Sequence, residues 1–283
     1  MKQIIIAFAF VSLLVCSCGS GNSEKKVMAR YVPERMDDFV WENNLVCYRA
    51  YGEALAGNPT SPGFDIWVKL PGKLVADEWY LGAMEDENYY HHNHGGKDCY
   101  KVSVSLGGGA SAPLVDGELI YPATNYRSWE MVSQSDEQVT FILNYPAWEV
   151  AGKQVSLAKK ITVYADKYFC KVEDTYSGDF EELVIAAGIF THEVEQKSVG
   201  SDRFAIWEHA SDQSIEPEDG MLGVGIVCPG AESVMKIESG KPHLVATKTI
   251  KSGEALTYWF GSCWSKGDVK NAASWFKLVN EFK

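Results

Sequence analysis

Three of the six histidines in this 283-residue chain, His91, His92 and His94, fall within four consecutive positions of the run Tyr89-Tyr90-His91-His92-Asn93-His94-Gly95-Gly96-Lys97-Asp98. Imidazole changes charge near neutral pH, so the cluster gathers proton donors and acceptors into one polar wall. Read as a strand, the run places His92 and His94 on one face and His91 on the other. Two histidines so spaced can share a metal, or one can donate a proton while the other orients a substrate hydroxyl, with Tyr90 as a further donor. A metal needs a third ligand, which His192, Glu193, Glu208 or His209 can supply. Nothing in the spacing demands one, and no cofactor is assigned. The bland alternative is a solvated loop in which Lys97 and Asp98 form a surface ion pair; as a site residue, Lys97 contacts substrate.

Two other segments mix the same chemistry. Thr191-His192-Glu193 follows an apolar strand, and Trp207-Glu208-His209 ends another. Strand ends often face clefts. If these two strands are neighbours, His192 and His209 come within reach of each other and of His94; otherwise each is a wet strand end. Arg49 and Arg127 sit in aromatic company, in Tyr48-Arg49-Ala50-Tyr51 and Tyr126-Arg127-Ser128-Trp129. A guanidinium between rings can clamp a carboxylate through two parallel hydrogen bonds, or pair with a structural Asp or Glu. Among the nine tryptophans, Trp129, Trp148 and Trp207 lie close to polar residues and are the rings expected near a ligand. Leu106-Gly107-Gly108-Gly109-Ala110 lacks the Lys-Ser/Thr of a nucleotide loop. It reads as a tight connection where the backbone passes close to something, such as a ligand. No nucleophile elbow or thiol–histidine pairing stands out.

Period-two alternation dominates the elements that must carry these groups. It runs through Phe64–Lys69, Tyr100–Leu106 and Val155–Val163, with further strands over 45–51, 139–145, 183–190, 203–209, 222–228, 233–238, 243–249 and 255–264. Turn residues such as Pro71-Gly72, Asp116-Gly117 and Ser252-Gly253 separate them. One helix is expected near the C-terminus, capped by Asp268, with Val269, Ala272, Trp275, Phe276, Val279 and Phe282 on its apolar side. Pro33 to Asn44 can hold a short helical turn. The expected fold is all-β: a large two-sheet antiparallel β-sandwich with a short C-terminal helix, as a single domain over 31–283. Past Cys18 the five cysteines, Cys47, Cys99, Cys170, Cys228 and Cys263, are odd in number and show no metal spacing, so small buried thiols are expected.

The N-terminus reads as an export signal. Met1-Lys2-Gln3 precedes an apolar stretch from Ile4 to Val15 that is too short to span a bilayer. Leu14-Val15-Cys16-Ser17-Cys18 resembles a bacterial lipoprotein box, which implies cleavage after residue 17 and lipid on the Cys18 sulfur. Residues 18–30 then form a flexible tether. The expected location is outside the cytoplasm, with the membrane reached through the lipid alone. Loss of residues 1–17 removes Lys2, leaving 25 basic against 38 acidic residues, a net charge of −13. With no basic stripe, nucleic acid is excluded as a partner.

Several segments resemble a family of exported Bacteroidetes proteins of uncharacterised function. They are Arg35-Met36-Asp37-Asp38-Phe39-Val40-Trp41-Glu42-Asn43, Ser61-Pro62-Gly63-Phe64-Asp65-Ile66-Trp67, Tyr90-His91-His92-Asn93-His94-Gly95, Leu106-Gly107-Gly108-Gly109-Ala110 and Tyr258-Trp259-Phe260-Gly261-Ser262-Cys263-Trp264-Ser265-Lys266-Gly267. The resemblance implies a galactose-mutarotase-like supersandwich and a setting among genes for breakdown of pectin and other polysaccharides. Asn93 stands where that pattern has an Asp between the histidines, so no carboxylate role is carried there.

The resulting expectation is a carbohydrate-active protein working on uronate-containing oligosaccharides by epimerisation, elimination or glycosidic cleavage. His94 or His192 serves as base, Tyr90 as donor, and Arg49 or Arg127 as carboxylate clamp. A mutarotase-like variant uses one His as acid and Glu193 or Glu208 as base. His92, Lys97, Trp129, Trp207 and His209 complete the candidate set. The rivals are a non-catalytic glycan-binding lipoprotein, with an exposed aromatic platform, and a structural subunit, with a large exposed apolar patch.

Overall fold

The computed structural model describes residues 25–55, 62–210 and 219–283. The signal-like segment and Cys18 lie outside the described residues. The chain lays down β1 (Val27–Val32), β2 (Asp38–Asn43), β3 (Cys47–Ala50), β4 (Asp65–Lys69), helix α1 (Ala76–Ala83) and β5 (Gly96–Asp98). It continues through β6 (Ser111–Val115), β7 (Glu118–Leu119), β8 (Ser128–Gln134), β9 (Gln138–Val150), β10 (Lys153–Tyr164), β11 (Phe169–Gly178) and β12 (Glu182–Phe190). Last come β13 (Val194–Val199), β14 (Arg203–His209), β15 (Met221–Val227), β16 (Ser233–Ile237), β17 (His243–Lys251), β18 (Ala255–Trp264) and helix α2 (Ala272–Glu281). Strand β1 thus begins at Val27, inside the stretch expected as a tether.

Among the described residues all pairs of these strands are antiparallel and form three sheets. An eight-stranded sheet runs β13-β14-β15-β18-β11-β10-β9-β8, and two five-stranded sheets run β1-β2-β3-β4-β5 and β16-β17-β12-β6-β7. One bridge between Phe64 and Gly107 ties the two smaller sheets together. A continuous core drawn from all three sheets makes this the expected β-sandwich. Alternation supplies that core: Phe39, Trp41, Tyr48 and Ile66 point inward from the first sheet, against Phe141, Phe260 and Tyr258 of the eight-stranded sheet. Phe39 lies 4.4 Å from Phe141 between ring centres, and Phe64 lies 5.0 Å from Phe260.

The glycine run is the seam between the two smaller sheets. Gly107 has φ +57°, and a Cβ there would lie 2.2 Å from the Phe64 carbonyl oxygen. A Cβ on Gly109 would lie 2.6 Å from the Phe260 side chain. The neighbour that demands glycine is the protein's own core, not a ligand. The expected strand over Tyr100–Leu106 is absent as well. Ser103 adopts φ +53°, and the Ser105 hydroxyl turns back onto the Val102 carbonyl. Tyr100, Val102 and Leu106 are nevertheless buried.

Helices cover two outer faces. Helix α2 docks Trp275 and Val279 onto Ala205, Trp207 and Val227, which makes Trp207 a core residue and not a ligand platform. Its cap is Asn271, whose side chain accepts the Ser274 N–H at 2.9 Å. Asp268 instead accepts from the Tyr168 hydroxyl. Trp148 is also buried, edge-on to Tyr176. Helix α1 covers the first sheet, and its free N–H groups are satisfied from a distance. The Glu42 carboxylate accepts from Val75 and Ala76 at 2.9 and 2.8 Å and is neutralised by Lys69 at 2.6 Å. An anion at a helix N-terminus is favourable. Pro33–Asn44 forms a turn and then β2 instead of a helix. All five core cysteines are free and buried, as expected. Among the described residues no helix is long and apolar enough to cross a membrane.

His243, at the start of β17, braces the seam. Its Nε2 accepts the Leu106 N–H at 3.1 Å while Nδ1 donates to the Lys241 carbonyl at 2.7 Å, so the neutral ring is the one that fits. Burial pushes its pKa down from 6.5 to about 4. A folded pKa below the unfolded one means that the unfolded chain binds the extra proton between those values. The stabilisation is complete above pH 6.5 and is lost as pH falls towards 4, by on the order of 3 kcal/mol. Urea titrations of wild type and His243→Gln should therefore show a stability gap at pH 7.5 that shrinks markedly at pH 4.5. An unchanged gap would contradict the neutral, buried ring.

Candidate functional site

The strand that leads into His192, β12, does not pair with β14. β12 belongs to a five-stranded sheet, and the chain crosses at Thr191–Glu193 into β13, which pairs with β14. Thr191 pins the crossing by donating to the Pro242 carbonyl from both its N–H, at 3.0 Å, and its hydroxyl, at 3.1 Å. The ladder between β13 and β14 is irregular between Val194 and Gln196, which sets Glu195 out of register.

Two His–Glu pairs result. Glu208, fully buried, accepts the His192 backbone N–H at 3.0 Å and faces His192 Nδ1 at 2.9 Å. The other nitrogen, Nε2, lies 2.8 Å from the Lys101 carbonyl. Each ring nitrogen therefore faces an acceptor, an arrangement in which the protonated ring can donate to both. The Phe190 and Tyr100 rings fix its plane, at 4.3 and 4.9 Å between centroids. Glu195 meets His209 Nε2 at 2.8 Å at the surface. His192 and Glu195 line a cleft of about 370 Å³ together with Lys197 and Lys236, over an apolar floor of Val194, Ile206 and Leu244. That volume suits one sugar ring or a similar polar molecule. Glu193 is exposed beside it, and its carbonyl accepts the His209 N–H.

The histidine run is placed differently. Tyr89–His91 is a 3₁₀ turn, and Gly95 and Gly96 then reverse the chain at φ +85° and +158°. Strand alternation therefore does not apply to His92 and His94. His94 is exposed with its ring stacked on Tyr89 at 3.9 Å, and His92 is half-buried. His91 reaches the Asp98 carbonyl at 3.2 Å, and burial lowers its pKa. Among the described residues no group of three or more His, Cys, Asp or Glu side chains is arranged to hold a metal. Lys97 is not on the surface. It points into the core and meets Asp219 at 3.0 Å, because on β5 it alternates with Asp98.

Arg49 is buried under α1 and the 3₁₀ turn. Its Nε donates to Asp65 at 2.6 Å and Nη2 to Asp98 at 2.8 Å, and Nη1 lies 3.6 Å from Asp38. Rings of Trp67, Tyr90 and Tyr51 surround it at 5.1, 5.2 and 5.4 Å. The aromatic company foreseen for Arg49 is real, but three aspartates occupy the guanidinium, which leaves it unavailable as a substrate clamp. Tyr90 is buried in the same stack, against Trp67 at 5.1 Å. Burial, reinforced by Asp65, pushes the Asp98 carboxyl up to about 8; burial also lifts Asp38 to about 6. Arg127 and Trp129 are exposed and share a smaller cleft of about 270 Å³ with Glu53 and Asp37.

The profile of a family described as "Domain of unknown function (DUF4861)" matches residues 20–283. The chain belongs to that family. A relative, "Uncharacterized protein P7" of Formosa agariphila, is 30% identical over 270 residues, which span 90% of this chain and 66% of the relative. Solved structures are similar at much lower identity. A GH36 α-galactosidase of Geobacillus stearothermophilus crystallised with raffinose matches 80% of this chain and 40% of its own, at 8% identity and a TM-score of 0.39. The Slr1438 protein of Synechocystis sp. PCC 6803 matches 86% of this chain and 98% of its own, at 9% identity and a TM-score of 0.35. This DUF4861 chain presents Glu195, Lys197 and Lys236 in its cleft, none of them singled out from sequence. All three are strand residues, and only the pairing of β13 with β14 and of β16 with β17 brings their strands to the cleft.

Proposed function

We propose that the protein binds uronate-bearing oligosaccharides, such as pectic fragments, in the His192 cleft and acts on them by acid–base chemistry outside the cytoplasm. The observation that carries this reading is the His192–Glu208 pair opening on a sugar-sized cleft with Lys197 and Lys236 in its wall. A uronate carboxylate needs local cations in a chain of net charge −12; Lys197 and Lys236 stand in the cleft wall, Lys236 also paired with Glu238, and His192 lies beside them against Glu208. Elimination or C5 epimerisation requires removal of the proton beside the carboxylate and a cation for the enolate-like charge that forms. In this reading Glu195 takes the proton when His209 releases it. His192, held as a donor by Glu208, returns a proton to the ring or the leaving oxygen.

The test is a panel of pectic oligosaccharides, followed by ultraviolet absorbance for unsaturated products, reducing ends for cleavage, and solvent deuterium exchange for epimerisation. His192→Asn should lower turnover by about 10²–10⁴-fold, the range of a lost general acid or base. A folded wild-type protein that changes no member of the panel would overturn the catalytic reading.

One observation favours a second reading, glycan binding without turnover. His192 Nε2 is occupied by the Lys101 carbonyl, so the ring meets a substrate only if the Tyr100–Leu106 segment yields. Binding that survives in wild type without any product would select it.

A further inference from the structure

The eight-stranded sheet ends in β13 at one edge and β8 at the other. The His192 cleft lies at the first. At the second, the structure holds another polar cleft, of about 270 Å³, built around Trp129. Seven interstrand steps of about 4.8 Å put the two edges on the order of 30 Å apart. No single sugar reaches both.

The cleft at β8 presents a part-exposed ring braced by two others. Trp129 is 42% exposed and packs against Tyr31 at 5.8 Å, nearly parallel, and Phe39 at 5.7 Å. Beside it Arg127 pairs with Glu53, and both side chains are half exposed. The cleft wall also holds Asp37, whose carboxylate accepts the Tyr31 hydroxyl and whose carbonyl accepts the Tyr126 hydroxyl.

The segment under this cleft is strained. Met36 and Asp37, neither of them glycine, adopt φ +50° and +61° in succession. Strain of this kind persists where the surroundings fix it. Here the fixing groups are the two tyrosine hydroxyls and the close approach of Asp37 to Gly52. A Cβ at position 52 would overlap the Asp37 carbonyl, and Asn125 holds the Gly52 carbonyl in place at 2.8 Å. The backbone is thus spent on presenting Asp37 beside an exposed ring.

We infer that this Trp129 cleft is a second saccharide subsite, one that takes a neutral sugar ring. The apolar C–H face of a pyranose covers the exposed part of the indole, and its hydroxyls meet Arg127, Glu53 and Asp37, which offer donors and acceptors in the same cleft. Two carboxylates against one guanidinium leave the cleft net negative, so a uronate is disfavoured here, in contrast to the lysine-walled cleft at the far edge. The inference rests on the saccharide reading of the protein but assigns a separate site to a different sugar. It predicts that a mixed polysaccharide is held at β8 through neutral units while its acidic units are offered to β13.

The test is affinity electrophoresis of the folded protein through gels containing neutral galactan, neutral arabinan or polygalacturonate. Wild type should be retarded in at least one neutral gel. Trp129→Ala should lose that retardation by 10-fold or more in apparent affinity, and Glu53→Gln should weaken it. His192→Asn should leave it unchanged, which separates this result from the fate of the His192 reading. Thermal unfolding of the Trp129→Ala protein checks that it remains folded. The inference is overturned if wild type runs freely in every neutral gel, or if Trp129→Ala is retarded as strongly as wild type.

Discussion

Arg49→Met is expected to destabilise the fold by about 3–5 kcal/mol, the usual consequence of removing one partner of a buried ionic network. The change strips the cation from Asp38, Asp65 and Asp98 at once, in a layer sealed by α1 and the rings of Trp67 and Tyr90. The penalty should depend on pH. Both Asp98, at about 8, and Asp38, at about 6, already hold protons in the fold well above the ordinary carboxylate value of 3.8. Asp98 keeps its proton over most of pH 5–8 with or without Arg49 and largely cancels from the difference. Asp38, in contrast, ionises above about 6 in wild type and must stay protonated without Arg49, while the unfolded chain is ionised at both pH values. Keeping a proton against that tendency costs more as pH rises. Urea unfolding should give a larger wild-type-to-variant gap at pH 8 than at pH 5. Arg49→Lys should rescue little, because one ammonium cannot fork towards carboxylates on three sides. A gap that is equal or smaller at pH 8 would refute this account.

Lys159→Met should be comparably damaging, for a reason located in the middle of the sandwich. Lys159 interrupts the inward stripe Val155, Leu157, Ile161 and Val163 on β10 and lies directly across from Asp174 on β11. Its ammonium reaches Asp174 Oδ2 at 2.5 Å, over the face of Phe64. The Ser111 hydroxyl donates to the same oxygen, and the Tyr258 hydroxyl lies 3.3 Å away. Methionine fills the volume but leaves the buried Asp174 carboxyl without its cation, again about 3–5 kcal/mol. The double variant Lys159→Met/Asp174→Asn should recover at least half of the loss, since no buried charge remains. If chemical denaturation shows the two changes to be additive, the pair is not coupled as described.

Local pattern explains which parts of this fold can be read from sequence. Strands β14 and β18 fall on the residues expected, 203–209 and 255–264, because alternation and flanking turn residues lie within the segments themselves. Helix α1 escapes notice because its cap, Glu42, comes from a strand far back in the chain, and a short helix with one glycine carries little signal alone. The Tyr100–Leu106 run alternates in composition yet bends at Ser103, since its apolar residues plug the core without a strand partner. The same limit governs the site. His192 and Glu208 are recognisable as polar strand ends, but their meeting depends on β13, an edge strand of Val-Glu-Gln-Lys-Ser-Val whose mostly exposed residues show no apolar alternation. The histidine run misleads for the opposite reason. A conspicuous cluster of imidazoles becomes a turn in which His94 stacks on Tyr89 in the open.

The strand order carries one more implication. β18 follows all the other described strands in chain order, yet it lies between β15 and β11, joining the ladder β13–β15 to the ladder β8–β11. While the chain is still being synthesised, those two blocks have no splice and each shows a raw inner margin. The wide sheet therefore closes in one late insertion, and a truncation that removes Ala255–Trp264 should yield two half-sheets prone to seek foreign partners, not a slightly weakened version of the whole.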